Sequence, residues 1–213
     1  MPIDTLLTIA GAASAFLLIA GMTAGRVRSD WRMWPAPPVG SLKSFTFWTL
    51  FRILNIVVLI LASERFLATP SGPILPLRIT LAAVSSVAGV AYLYTLWSLG
   101  RNATYCQASG LETSGIYRWA RNPQYATAIF AFATLGLAAW SWDATLLACA
   151  LVIVYAMMAM TEEPWLEAHY GRAYLEYKSQ VPRFFNIRHA IGEMRALLAH
   201  RIPAFANNRR GKR

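Results

Sequence analysis

Apolar residues in this chain run in long blocks separated by short polar stretches, at 3–25, 45–63, 74–97, 126–140 and 144–160. The blocks come close to the roughly 17 to 25 residues that a helix needs to cross a hydrocarbon core of about 30 Å. The pattern therefore predicts an all-α integral membrane protein with about five transmembrane helices. Only Ser141, Trp142 and Asp143 separate the last two blocks. So short a connection predicts an antiparallel helical hairpin, with the rings of Trp140 and Trp142 at the membrane interface.

Composition agrees: 56% of residues are hydrophobic, 14% are charged, and the mean hydropathy is +0.40. The first block lacks a basic region ahead of it and begins with Asp4, so it reads as a span rather than a secretory signal. Seventeen of the 20 basic residues fall in the stretches 26–44 and 98–122 and in the tail from Thr161. The preference of basic residues for the cytoplasm then places the N-terminus outside and the C-terminus inside. The inner membrane of a bacterium is the expected location for a compact multi-pass chain of this kind, with the endoplasmic reticulum as the alternative.

The net charge of +10 follows from this topology. Membrane lipids are the expected partner of the basic residues. Nucleic acid is not, because no soluble recognition module accompanies them. In the tail, Ile187, Ile191, Met194 and Leu198 recur at helical spacing among Arg188, Arg195 and Arg201, as in an interfacial helix. Pro203 would end that helix, and 207–213 reads as disordered.

Cys106 and Cys149 read as two structural thiols, and His169, His189 and His200 stand at no zinc spacing, so no metal site is expected. A P-loop, a dinucleotide-binding glycine fingerprint and a Gly-x-Ser-x-Gly elbow are all missing from the sequence.

Candidate chemistry collects at one edge. Glu162 and Glu163 follow the fifth block, and Pro164 with Trp165 then predicts the start of a helix carrying Leu166, Tyr170, Tyr174 and Tyr177 on one stripe. One reading is a solvated helix at the membrane edge whose carboxylates favour its positive N-terminal end. The other is a binding site, since adjacent carboxylates at an interface need a cation to meet them. That cation is either Arg121 or a sulfonium or ammonium ligand held by the carboxylates and tyrosine faces. Upstream, Gly115 permits a turn, Asn122 is pushed out of helical conformation by the following proline, and Pro123 fits a first helical turn. The same loop, with Tyr117, Trp119 and Tyr125, also suits a plain membrane-entry segment.

Several of these residues recur in a known order: Gly115, Tyr117, Arg121, Pro123 and Tyr125; then Glu162, Glu163 and Leu166; then Tyr170, Gly171, Tyr174 and Tyr177; then Val181 and Pro182. This series resembles the cofactor-binding core of the isoprenylcysteine carboxyl methyltransferase and phospholipid methyltransferase superfamily of integral-membrane enzymes. The resemblance covers about the last half of the chain. It implies a membrane region over 1–97, a methyltransferase core over 98–185 with cytoplasmic cofactor-binding segments, and a basic tail over 186–213.

The resemblance further implies S-adenosylmethionine as cofactor, surrounded by Asn102, by Ser109, Gly110, Leu111 and Glu112, by Tyr117, and by Asn122, Pro123, Gln124 and Tyr125. Glu162 would hold a ribose hydroxyl or the cofactor amine. Arg121 and Glu163 are the candidate catalytic residues, Arg121 orienting acceptor and cofactor, and Glu163 or a tyrosine taking the proton that an ammonium acceptor must lose. Gly100 aligns with a close-approach glycine of the phospholipid branch. Asn122 stands where a histidine is usual, yet the phospholipid branch also reads Asn-Pro-x-Tyr there. Met158 stands where enzymes acting on prenylcysteine carry an arginine, which turns the expectation from a carboxylate toward a lipid amine, hydroxyl or thiol.

The implied activity is methyl transfer to a lipophilic acceptor: a lipid amine, an isoprenoid thioether or carboxylate, or a thiol. A sterol-reductase-like enzyme using reduced nicotinamide nucleotide is the rival enzyme class. A membrane protein that binds lipid without catalysis is the other alternative.

Overall fold

The computed structural model describes residues 1–35, 38, 40–68, 72–104, 110–186, 191–192 and 194–195, without the side chains of 29 and 101–104. Cys106, Ser109 and the segment 207–213 lie outside the described residues, as does most of the helix expected over 187–201.

Among the described residues the α-helices that follow in order are α1 (Ile3–Val27), α2 (Leu42–Ala68), α3 (Leu75–Thr104), α4 (Pro123–Ala139), α5 (Trp142–Tyr170) and α6 (Arg172–Gln180). No strand occurs among the described residues. The helices α1, α2, α3 and α5 are long and apolar enough to cross a membrane. With 17 residues, α4 rises roughly 25 Å and stands at the lower limit for spanning. The expectation of about five spans agrees with this arrangement. Helices suit that setting because they satisfy their backbone polar groups internally.

The core lies between α1, α2, α4 and α5, where Leu18, Phe47, Leu54, Leu61, Leu151 and Val154 are fully or almost fully buried. Helix α3 packs chiefly on α4, and the Ser85 hydroxyl donates to the Ala131 carbonyl at 2.9 Å. Its remaining faces expose Leu77, Val87, Val90, Leu93 and Trp97, a composition that suits lipid as the solvent.

The hairpin of α4 and α5 turns on Trp140, in left-handed conformation with φ 54°, and Ser141. It is tighter than expected because α5 already begins at Trp142. The close approach depends on Gly136, where an added Cβ would sit 2.5 Å from the Ala148 Cβ. At this end Arg65 bridges Asp4 and Asp143, each at 2.9 Å. Arg78, at the end of the bundle opposite the basic stretches, is buried. Its guanidinium donates to the carbonyls of Ala138 at 3.0 Å and Phe66 at 2.6 Å. It thereby caps carbonyls at the C-terminal ends of α2 and α4.

At the other end the structure corrects one expectation. The polar helix does not start at Pro164: α5 runs through this proline to Tyr170, and the break falls at Gly171, with φ 55° and ψ −128°. The proline removes one helical N–H, yet packing of Glu162, Glu163 and their neighbours keeps the helix in line. Gly171 is the residue whose lack of a Cβ permits the sharper change.

Replacing Gly136 with alanine is expected to force α4 and α5 apart and to cost about 1 to 3 kcal/mol. A lowered melting temperature of the detergent-purified protein checks this; an unchanged one refutes the close-packing account.

Candidate functional site

The candidate site is assembled by a strap of chain that ties the loop before α4 to the segment after α6. Gly115–Arg118 forms a 3-10 turn. Beyond it the N–H of Arg121 donates to the Pro182 carbonyl at 2.8 Å and that of Asn122 to the Arg183 carbonyl at 3.1 Å. The Arg121 guanidinium donates to the carbonyls of Lys178, at 2.9 Å, and of Val181. From α6 the Tyr177 hydroxyl donates to the Tyr117 carbonyl at 2.7 Å.

Glu163 closes the strap from α5. Its carboxylate, 2% exposed, pairs with Arg121 at 2.9 Å and with Arg183 at 2.7 Å. Both oxygens accept guanidinium hydrogen bonds. The expected partnership of Arg121 with a carboxylate is therefore present. Arg183 is a third member that the sequence reading left out, although it directly follows the Val-Pro pair.

Within the strap a cleft opens, enclosing about 560 Å³ including its mouth. Of the residues expected around a cofactor, Gly110, Leu111, Glu112, Tyr117, Asn122, Gln124 and Glu162 line it, together with Arg121. Trp165, Leu166, Tyr170, Tyr174 and Tyr177 complete the wall. Pro123 instead starts α4, Tyr125 faces a second cavity, and Glu163 lines neither. Ser109 and the Asn102 side chain lie outside the described residues.

The second cavity is a chamber among the spanning helices, enclosing about 730 Å³ including its open mouth. Its walls are Trp34, Trp48, Phe51, Tyr92, Tyr125, Tyr155 and Met158, with Arg52 among them. Leu99, Gln124 and Glu162 line both spaces. Leu99 occupies that boundary because α3 kinks just beyond it at Gly100, where φ is 77° and ψ 164°, a conformation that glycine alone adopts without strain. Tyr125 donates to Glu162 from the chamber side, and Trp34 lines the chamber with the same carboxylate. The sequence signal for Trp34 was its tryptophan- and proline-rich loop between the first two spans. Its insertion depends on stacking against Phe47 at 5.0 Å, which no local pattern reveals.

The cleft's chemistry suits a ligand with both cationic and hydrogen-bonding parts. Glu112 accepts from the Ser114 N–H at 2.8 Å and hydroxyl at 2.6 Å. These bonds hold its carboxyl below the ordinary value and keep it ionised. The buried Asn122 amide nitrogen makes no hydrogen bond among the described residues. Buried polar atoms of this kind need a partner, and a ligand in the cleft would supply one. Burial raises the phenols of Tyr117 and Tyr177 well above the ordinary value; the Glu162 carboxylate adds to the rise at Tyr117, and Tyr174 to that at Tyr177. Both therefore remain neutral donors, Tyr117 toward Gln124 at 3.2 Å.

Residues 77–173 match the family model described as phospholipid methyltransferase. The matched stretch is a little under half of the chain. It runs from α3 through the hairpin to the break after α5, and so includes Tyr117, Arg121, Asn122 and Glu162 of the cleft. No curated protein and no solved structure gives a significant match. The matched segment stops before Tyr174, Tyr177 and Arg183, which complete the strap, and begins after Trp34, Trp48 and Arg52 of the chamber.

Two outcomes follow from the strap. Changing Glu163 to glutamine leaves two guanidiniums without their charge partner and is expected to destabilise the protein by about 3 kcal/mol, the range for breaking a buried pair. A lowered melting temperature and faster proteolysis near residue 121 would show it. The raised tyrosines add a pH dependence. Below pH 10 both folded and unfolded phenols are protonated and their contribution is intact; above it only the unfolded chain ionises, so stability falls as pH rises. Melting curves from pH 8 to 11 should show this loss, and it should be shallower in Tyr177→Phe.

Proposed function

We propose that the chain transfers a methyl group from S-adenosylmethionine, held in the polar cleft, to a lipophilic acceptor held in the aromatic chamber. The observation that carries this reading is that the two spaces meet at Leu99, Gln124 and Glu162. A membrane methyltransferase needs this arrangement, one hydrophilic site and one apolar site sharing a wall where the reacting groups face each other.

The cofactor, when bound, supplies a methyl group on a sulfonium, an electrophile whose positive charge is discharged as the S–C bond breaks and the bond to the acceptor forms. The protein's work is then alignment and exclusion of water. Glu162, fixed by the hydroxyl of Tyr125, would hold a ribose hydroxyl or the amine. Asn122 and Tyr174 would donate to the ligand's acceptor atoms. The aromatic faces of Tyr170, Tyr174 and Trp165 in the cleft wall favour a cation. Arg121 and Glu163 serve as positioning residues, since their ion pair and the carbonyl contacts of Arg121 hold the loop that carries Tyr117 and Asn122.

An ammonium acceptor must lose a proton before it attacks. Glu163 has both oxygens engaged by guanidiniums, whereas Glu162 borders both spaces, so Glu162 is the better-placed acceptor of that proton. The apolar Met158 in the chamber wall favours a lipid amine, hydroxyl or thiol. Arg118, Arg121, Lys178 and Arg183, in the segments that form the strap, support a cytoplasmic cleft, where a soluble cofactor is accessible. In this arrangement the helices of 1–97 supply the chamber's outer wall and 98–185 the transfer core.

Titration of the detergent-purified protein with S-adenosylhomocysteine in a calorimeter tests the reading. Saturable binding is expected, weakened at least tenfold in Glu162→Ala, with no heat from reduced nicotinamide nucleotide. Unchanged affinity in the variant would remove Glu162 from the site, and binding of the nicotinamide nucleotide alone would overturn the methyltransferase reading.

A further inference from the structure

Arg52 is a charged residue in the interior of a spanning helix. It follows the start of α2 by ten residues, about 15 Å along the axis. A guanidinium at that depth is costly unless an anion or a polar cavity meets it. Among the described residues no carboxylate forms an ion pair with it. Its protein contact is the Trp48 ring, 6.0 Å from the guanidinium carbon. The side chain is exposed on the bundle surface and lines the aromatic chamber.

The chamber therefore has three chemically distinct regions. Arg52 is its one strongly cationic element among the lining residues; Trp34, Trp48, Phe51, Tyr92 and Tyr155 form apolar walls; and Glu162 borders the cofactor cleft. We propose that Arg52 anchors the anionic group of the acceptor, and that the acceptor is an anionic amphiphile rather than a neutral or purely cationic one. Its anion meets Arg52, its hydrocarbon passes outward to lipid beside α2, and its nucleophile reaches toward Glu162. A phosphate and a carboxylate share the planar or tripodal oxygen pattern that a guanidinium grips with two parallel hydrogen bonds. The indole of Trp48 limits the rotamers open to Arg52 and so keeps its fork at the chamber.

This inference rests on reading the chamber as the acceptor site, but anion binding can be tested without turnover. Octyl phosphate, octanoate and octyltrimethylammonium are titrated into the full-length protein in dodecyl maltoside, each with wild type, Arg52→Met and Arg52→Lys. S-adenosylhomocysteine is titrated into the same samples. At least one of the two anions is expected to bind wild type tenfold or more tighter than the ammonium probe. Arg52→Met should lose that preference, Arg52→Lys should keep part of it, and S-adenosylhomocysteine affinity should stay within twofold. Methionine suits a lipid-facing position, and retained binding of S-adenosylhomocysteine certifies the fold.

Tighter octyl phosphate would identify a phosphate-bearing acceptor, and tighter octanoate a carboxylate-bearing one. Equal anion binding by wild type and Arg52→Met, or equal binding of the ammonium probe, overturns the proposal. Arg52-dependent anion binding in a protein that binds no S-adenosylhomocysteine would uphold the anion site while removing the methyl-transfer reading.

Discussion

The site depends on a single buried carboxylate, that of Glu163. It lies on the rigid fifth helix, and the two guanidiniums that meet it come from either side of the sequence, Arg121 before the hairpin and Arg183 after α6. Three otherwise separate pieces of backbone are thereby held to one point. A buried charge pair of this kind adds less net stability than its Coulomb energy suggests, because desolvation opposes it. What it secures is placement: without Glu163, the loop carrying Tyr117 and Asn122 would be tied to α6 and the segment after it only through hydrogen bonds to backbone carbonyls.

The neighbouring carboxylate has a different environment for a geometric reason. Consecutive residues on an α-helix point about 100° apart, so Glu162 and Glu163 cannot face the same partner. Because α5 continues through Pro164, this divergence is preserved: Glu163 turns to the strap, and Glu162 turns to the wall between cleft and chamber. A helix beginning afresh at Pro164 would have left both carboxylates in a frayed terminal turn. The pair that looks redundant in the sequence thus divides into a structural anchor and a ligand-facing group.

This division explains what could be read from the sequence. Hydrophobic block length located the spanning helices and the hairpin because membrane thickness imposes a simple constraint on a chain. The order of Gly115, Tyr117, Arg121, Asn122 and Glu162 pointed to the cleft because those residues lie in one contiguous half of the chain. Trp34, Trp48 and Tyr92 were not legible as chamber walls, since they come from the α1–α2 connection, α2 and α3 and meet only through tertiary packing. The break after α5 was misplaced because proline is a strong local signal, while the support that lets a proline stay inside a helix comes from neighbours distant in sequence. Arg183 escaped for a similar reason: its role exists only once the chain after α6 has returned to Glu163.

Two arginines in spanning helices show how the bundle handles charge in an apolar setting. Arg78 is enclosed, donating to carbonyls near the ends of α2 and α4 and resting on the Phe66 ring at 4.9 Å, so its hydrogen-bonding capacity is spent on the fold. Arg52 has no comparable set of carbonyls and stands at the entrance to a chamber of aromatic rings. A structural arginine could as well have been a leucine packed between helices, with less desolvation to overcome. An arginine left with donors to spare beside a cavity is different. Its cost is offset only when an anion arrives, which makes the chamber selective for what enters it.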